Sequence, residues 1–188
     1  SQILQCGSVL TDEGLNTLDE QNIGCAPLPW VIPQPMAMIT NKKIDLFKSN
    51  ISHYQMMKDL QMQWKQWSAE NPAIFITYNG HAFDEELVRR QFFWNLLEPY
   101  TTNTNGNGRL DLMLMIHNIA AFFSDEISMP LFEGGPGISY KLEHLAIEHG
   151  IDAGDAHDAI ADCNLMIEMC RIINCLLYTS PSPRDLSE

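Results

Sequence analysis

Asp84 stands where an apolar run hands over to a helix. The stretch "IFITYNGHAFDEELVRR", Ile74 to Arg90, breaks at Asn79-Gly80 and then sets an acid at the helix mouth. Acids are common there, because the free N–H groups and the dipole of a helix start favour negative charge. The ends of strands are also where α/β folds assemble their sites. A second cluster, "DAGDAHDAIAD", crowds Asp152, Asp155, His157, Asp158 and Asp162 around another helix entry. The dipole accounts for most of these acids. Asp162 differs, because it lies further in, among Ala, Ile and Cys, where a carboxylate needs a partner or a cation. His157 is five residues earlier, which an ideal helix would rotate roughly 140° away. That places His157 on the loop or first turn, suited to acting on a water beside a metal. An imidazole of ordinary pKa takes a proton near neutral pH. The third candidate, Asp111 in "RLD", reads first as a helix cap.

The elements that must position these residues can be read from periodicity. "QILQCGSVLT" reads as a strand closed by the turn "DEG". "NIGCAPLPWVIPQP" is proline-rich and reads as an edge strand running into an extended loop. "HYQMMKDLQMQWKQWSAE" puts Tyr54, Met57, Leu60, Trp64 and Trp67 near helical spacing. "AIFITY" is a short buried strand, and "DEELVRRQFFWNLLEPY" is a helix with Leu87, Gln91, Trp94 and Leu97 in register, stopping at Pro99. "RLDLMLMIHNIAAFF" passes from strand end to apolar helix. "SYKLEHLAIEHG" is a helix with Ser139 as candidate cap and Gly150 as its end, and "DAHDAIADCNLMIEMCRIIN" is a last helix. Strands alternating with helices predict an α/β layered fold.

The chain has 188 residues, 45% of them hydrophobic, enough for one domain with a core. Its apolar runs are too short to span a bilayer. The five cysteines have neither CxxC pairs nor zinc spacing. They read as core filler in a reducing compartment, the cytoplasm. A net charge of -13 argues against a broad phosphate-tracking surface, but not against a site where divalent cations stand between acids and phosphates.

Taken in order, "YNGHAFDEELVRRQFFWNLLEPY", "RLDLM", "SYKLEHLAIEHGI" and "AHDAIAD" resemble bacterial exonuclease I, of the DEDDh class in the RNase H-like exonuclease superfamily. The resemblance runs from Ser1 to Asn174. It implies an RNase H-like mixed sheet flanked by helices and a two-metal 3′-to-5′ hydrolysis of single-stranded DNA with two Mg²⁺ or Mn²⁺ ions. It also implies a cytoplasmic enzyme without membrane contact, and single-stranded DNA-binding protein as a further partner. On the matching motifs, Asp84 and Asp162 are metal-binding carboxylates and His157 is the general base. Asn79 and Phe83 shape the turn before Asp84. Lys141, Arg89 and Tyr100 fall where substrate contacts are expected, two cations for phosphates and a ring for stacking.

Such enzymes carry an Asp-x-Glu pair on their first strand, whereas "SQILQCGSVL" resembles the second. The sequence thus reads as an exonuclease-domain fragment, 1–174, with the first strand missing and the present polypeptide inactive by itself. Residues 175–188 read as foreign, since "CLLYTSPSPRD" resembles the conceptual translation of a transposase-type sequencing adapter. Two other readings remain open: a catalytically dead RNase H-like nucleic-acid-binding module, and an HD-type metal phosphohydrolase using His157-Asp158 with His117, His144 or His149.

Overall fold

The computed structural model describes residues 2–35, 44–123, 125–132, 135–152 and 159–179. It begins with an antiparallel hairpin of β1 (Gln5–Thr11) and β2 (Thr17–Gly24), in register from Gln5 opposite Gly24 to Thr11 opposite Thr17. The turn is closed by Asp12, whose Oδ1 accepts the Asn16 backbone N–H at 2.8 Å. β2 starts earlier than the sequence predicts. Its first residues, "TLDE", are exposed, so they lack the apolar alternation that marks a half-buried strand.

Helix α1 (His53–Trp67) follows, capped by Ser52, whose hydroxyl accepts the Gln55 N–H. Strand β3 (Ile74–Thr77) then leads into α2 (Asp84–Trp94), and β4 (Gly108–Asp111) runs directly into α3 (Leu112–Phe122). β3 and β4 pair in parallel from Ile74 opposite Gly108 to Thr77 opposite Asp111. A parallel pair needs a crossover, and α2 supplies it. Two further helices follow, α4 (Leu142–Glu148) and α5 (Ala159–Thr179).

The α/β class and both senses of strand pairing are therefore present. Among the described residues the strands form two two-stranded sheets rather than one continuous mixed sheet. β1 and β3 each use one edge only, and α1 bridges them. Met57, Leu60, Trp64 and Phe92 pack with Ile3, Cys6 and Ile23 of the hairpin region and with Phe75 of β3. Trp64 meets Phe75 and Phe92 edge-on, with centroids 5.3 and 6.0 Å away. A second core joins Leu112, Ile116 and Ile119 of α3 to Leu145 of α4 and to Met169 and Ile173 of α5.

Three local expectations are corrected. α2 ends at Trp94, not near Pro99, because Leu96 turns into the left-handed region at φ 56°. Its buried face is Gln91 and Phe92, while Trp94 is 59% exposed. Ser139 does not cap α4: Lys141 holds the cap position, and the fully buried Ser139 hydroxyl bonds His144 Nδ1 at 2.8 Å. Gly150, at φ 73°, follows α4 as expected. α5 continues through Thr179, beyond Asn174. Cys6, Cys25 and Cys170 are free thiols, and Cys25 is fully buried.

Candidate active site

The turn between β3 and α2 is built around Asp111. This carboxylate is 4% exposed, so it needs donors, and backbone amides supply them. Oδ1 accepts the Asn79 N–H at 2.9 Å and the Met113 N–H at 3.1 Å, and Oδ2 accepts the His81 N–H at 3.1 Å. Asp111 therefore caps α3, as its sequence context predicts, and also holds the neighbouring turn. Within that turn Asn79 has φ 58°, a conformation asparagine tolerates. A Cβ on Gly80 would stand 2.0 Å from Thr77 Oγ1, so only glycine fits. The Gly80 carbonyl then accepts the Phe83 and Glu85 N–H groups at 3.2 and 2.9 Å, which starts the helix.

Asp84 is the first residue of α2. Its carboxyl is held above the usual carboxylate range by burial and then by the negative charges of Asp111 and Glu85. The residue as a whole is exposed, so the burial is local crowding around the carboxyl. A carboxylate facing like charges is a place where a cation relieves repulsion. That chemistry fits a divalent ion, although no group of three His, Cys, Asp or Glu side chains among the described residues is arranged to hold one.

Glu85, next in sequence, faces a cation already present. Arg109 Nη1 donates to Glu85 Oε2 at 2.5 Å, and His81 Nδ1 lies 3.1 Å from Glu85 Oε1 and 3.7 Å from Asp111 Oδ2. The sequence reading missed this network. Arg109 and Glu85 are 24 positions apart, and only the β3–β4 pairing brings them together.

Asp162 lies in the first turn of α5 and is half-buried. The same helix seats on β1 at Gly7, where Cys163 Sγ reaches the Gly7 carbonyl at 3.6 Å. Beside Gly7, burial pushes the Cys6 thiol up to about 11, with Ser8 opposing and the charge of Asp84 adding to the rise. The helix carrying Asp162 thus seats on β1 at Gly7, next to the thiol that feels the charge of Asp84. His157, with Asp155 and Asp158, lies outside the described residues.

Of the expected substrate contacts, Asn79 and Phe83 share the turn with Asp84, and Phe83 is 61% exposed. Arg89 stands 6.0 Å over the Tyr100 ring and pairs with Glu86. Lys141 is exposed at the start of α4, on a separate element. Two of the histidines nominated for an HD-type site have structural surroundings: His117 packs edge-on against Tyr140 at 3.8 Å, and His144 bonds Ser139. The mixed α/β fold also replaces the all-helical scaffold that reading needs.

No family model matches the chain. Against curated proteins it is 27% identical over 187 residues to exodeoxyribonuclease I of Escherichia coli K12, covering 90% of this chain and 35% of that protein. To exodeoxyribonuclease I of Haemophilus influenzae it is 34% identical over 109 residues, 57% of this chain and 23% of that protein. The chain is thus similar in sequence to exodeoxyribonuclease I over 90% of its length. The fold agrees. E. coli exonuclease I in complex with a dT13 oligonucleotide superposes with a TM-score of 0.82 at 23% identity, covering 98% of this chain and 41% of that one. The zinc-bound form of its complex with single-stranded DNA superposes at 0.81 and 24% identity, covering 92% and 36%. A complex of exonuclease I with the SSB C-terminus superposes at 0.79, again at 24% identity, covering 92% and 37%. The chain spans about a third of the length of exodeoxyribonuclease I. Among the described residues, no helix is long and apolar enough to cross a membrane.

Proposed function

We propose that this chain forms part of the site of a metal-dependent 3′–5′ exodeoxyribonuclease acting on single-stranded DNA. The observation that carries the reading is the placement of Asp84, crowded by Asp111 and Glu85 at the end of β3, in a chain related to exodeoxyribonuclease I over 90% of its length. Asp84 and Asp162 would hold divalent ions, Mg²⁺ or Mn²⁺. When bound, such ions lower the pKa of an attacking water and neutralise charge on the scissile phosphate. His157 would serve as the general base toward the attacking water. Arg89 and Lys141 meet phosphates, Tyr100 stacks on a base, and Asn79 and Phe83 shape the entrance.

An Asp-x-Glu pair completes the ligand set. β1 and β2 carry none, and β1 and β3 each have one edge unpaired by another described strand, which is where an added strand would sit. The 188 residues alone therefore have little activity, because two divalent ions need several carboxylates. The SSB C-terminus bound by exonuclease I makes single-stranded DNA-binding protein the protein partner to test, and the site works in the cytoplasm.

The test is nucleotide release from a 3′-labelled single strand, with Mg²⁺ and with chelator. It compares the 188-residue chain with one preceded by a strand bearing Asp-x-Glu. Release only from the extended chain, abolished by chelator and by Asp84→Ala, is expected. His157→Ala should lower turnover more than binding, whereas Asp162→Asn should weaken metal binding as well. DNA binding without release from either chain would favour the dead nucleic-acid-binding module instead.

A further inference from the structure

β4 contributes no residue to the proposed chemistry, yet it grips the Asp84 turn from both sides. Before Asp84, the carboxylate of Asp111 accepts the Asn79 and His81 amides at 2.9 and 3.1 Å. After it, Arg109 ties Glu85 at 2.5 Å. Arg109 and Asp111 are alternate residues of one strand, in parallel register with Phe75 and Thr77. Asp84 is thus the middle of a short segment whose two flanks are fastened to one rigid strand. An ordinary helix cap would need Asp111 only for Met113 and Leu114, which it serves at 3.1 and 3.5 Å through Oδ1 alone. Oδ2 is left for the turn.

We propose that Asp111, assisted by Arg109, is a positioning residue that fixes the direction of the Asp84 carboxylate. The inference rests on the reading of Asp84 as a metal ligand. Its physical basis is that a carboxylate in a metal site works only when held within a fraction of an ångström, and Asn79-Gly80 is intrinsically a loose pair. Two amides fixed on a buried carboxylate remove that freedom.

Separating the clamp from the cap requires a residue that performs one role without the other. Serine at position 111 still caps α3, because its hydroxyl reaches Met113 and Leu114, but it is too short to hold Asn79 and His81. Asp111→Asn keeps the Oδ1 contacts and sets an NH₂ against the His81 N–H. Amide hydrogen exchange of the 188-residue chain is followed residue by residue. Mn²⁺ affinity is followed in the chain preceded by the Asp-x-Glu strand, by the electron-spin-resonance signal of free ion, with Asp84→Ala as reference. In Asp111→Ser, exchange at Asn79 and His81 should accelerate about tenfold or more, with Met113 and Leu114 still protected. Mn²⁺ affinity should fall toward that of Asp84→Ala, and combining the two changes should add little. Asp111→Asn should accelerate His81 alone and lie between. Arg109→Met should weaken Mn²⁺ binding with Asn79 and His81 still protected. Unchanged exchange at Asn79 and His81 in Asp111→Ser would overturn the clamp. Faster exchange with undiminished Mn²⁺ affinity, where Asp84→Ala does lose affinity, would overturn the positioning role. If Asp84→Ala leaves Mn²⁺ affinity untouched, the metal-ligand reading fails and the positioning role with it, while the exchange rates still decide whether the clamp exists.

Discussion

Gly7 of β1 lies directly beneath Ala159 at the start of α5: a Cβ on Gly7 would stand 2.7 Å from the Ala159 carbonyl carbon and oxygen. Backbone cannot yield as a flexible side chain does, so any larger residue lifts the helix. Gly7→Ala should lower stability by about 1–3 kcal/mol, measured by urea denaturation. Because Asp162 lies one turn further along the same helix, the loss should be larger at the α5 end than in the α1 core. Exchange protection falling equally in both would contradict a local lift.

Trp64 and Ser8 tie α1 to the hairpin, with the indole N–H donating to the Ser8 hydroxyl at 2.9 Å. Ser8→Ala strands a donor that is only 8% exposed with its residue, at a cost of about 1–3 kcal/mol. Trp64→Phe costs ring volume as well. In a double-mutant cycle the pair should be less damaging than the sum, since the second change removes the stranded donor. Strict additivity would mean the bond contributes nothing.

Asp84 should cost the fold stability while it is ionised. Its folded pKa is raised, so the unfolded chain loses this proton first, and the penalty sets in as pH rises above about 3.9. Asp84→Asn should therefore be more stable than the parent at pH 7 and indistinguishable near pH 3. With an exposed side chain the gain stays under ~1 kcal/mol. A variant less stable at pH 7 would refute the crowding argument.

His53 gives the opposite slope. Burial lowers its pKa, with a Gln91 hydrogen bond opposing, so the unfolded chain protonates first. The stability from neutral His53 is present above about 6.5 and is lost as pH falls through that value. His53→Gln should flatten this component of a stability–pH curve recorded from pH 8 to 5.

Periodicity and turn chemistry made much of this molecule legible. α1, β3 and the passage from β4 into α3 follow from local spacing, and Asn79-Gly80 marked the turn between β3 and α2. Gly150 and the α/β class were equally readable. Those features are local: each depends on residues within a turn or two of one another. The exposed start of β2 was invisible, because a polar strand on a hairpin has no apolar alternation. The early end of α2 was too, because Leu96 in the left-handed region contradicts its own preference and is settled by packing. Most of all, Asp111 looked like a cap and nothing more. Its second task exists only because β4 lies beside β3, which sets Asp111 opposite Thr77 and brings the Asn79 amide to Oδ1 and the His81 amide to Oδ2. The residue types are fixed by the chain, but which buried carboxylate answers which backbone donor is decided when distant strands pair.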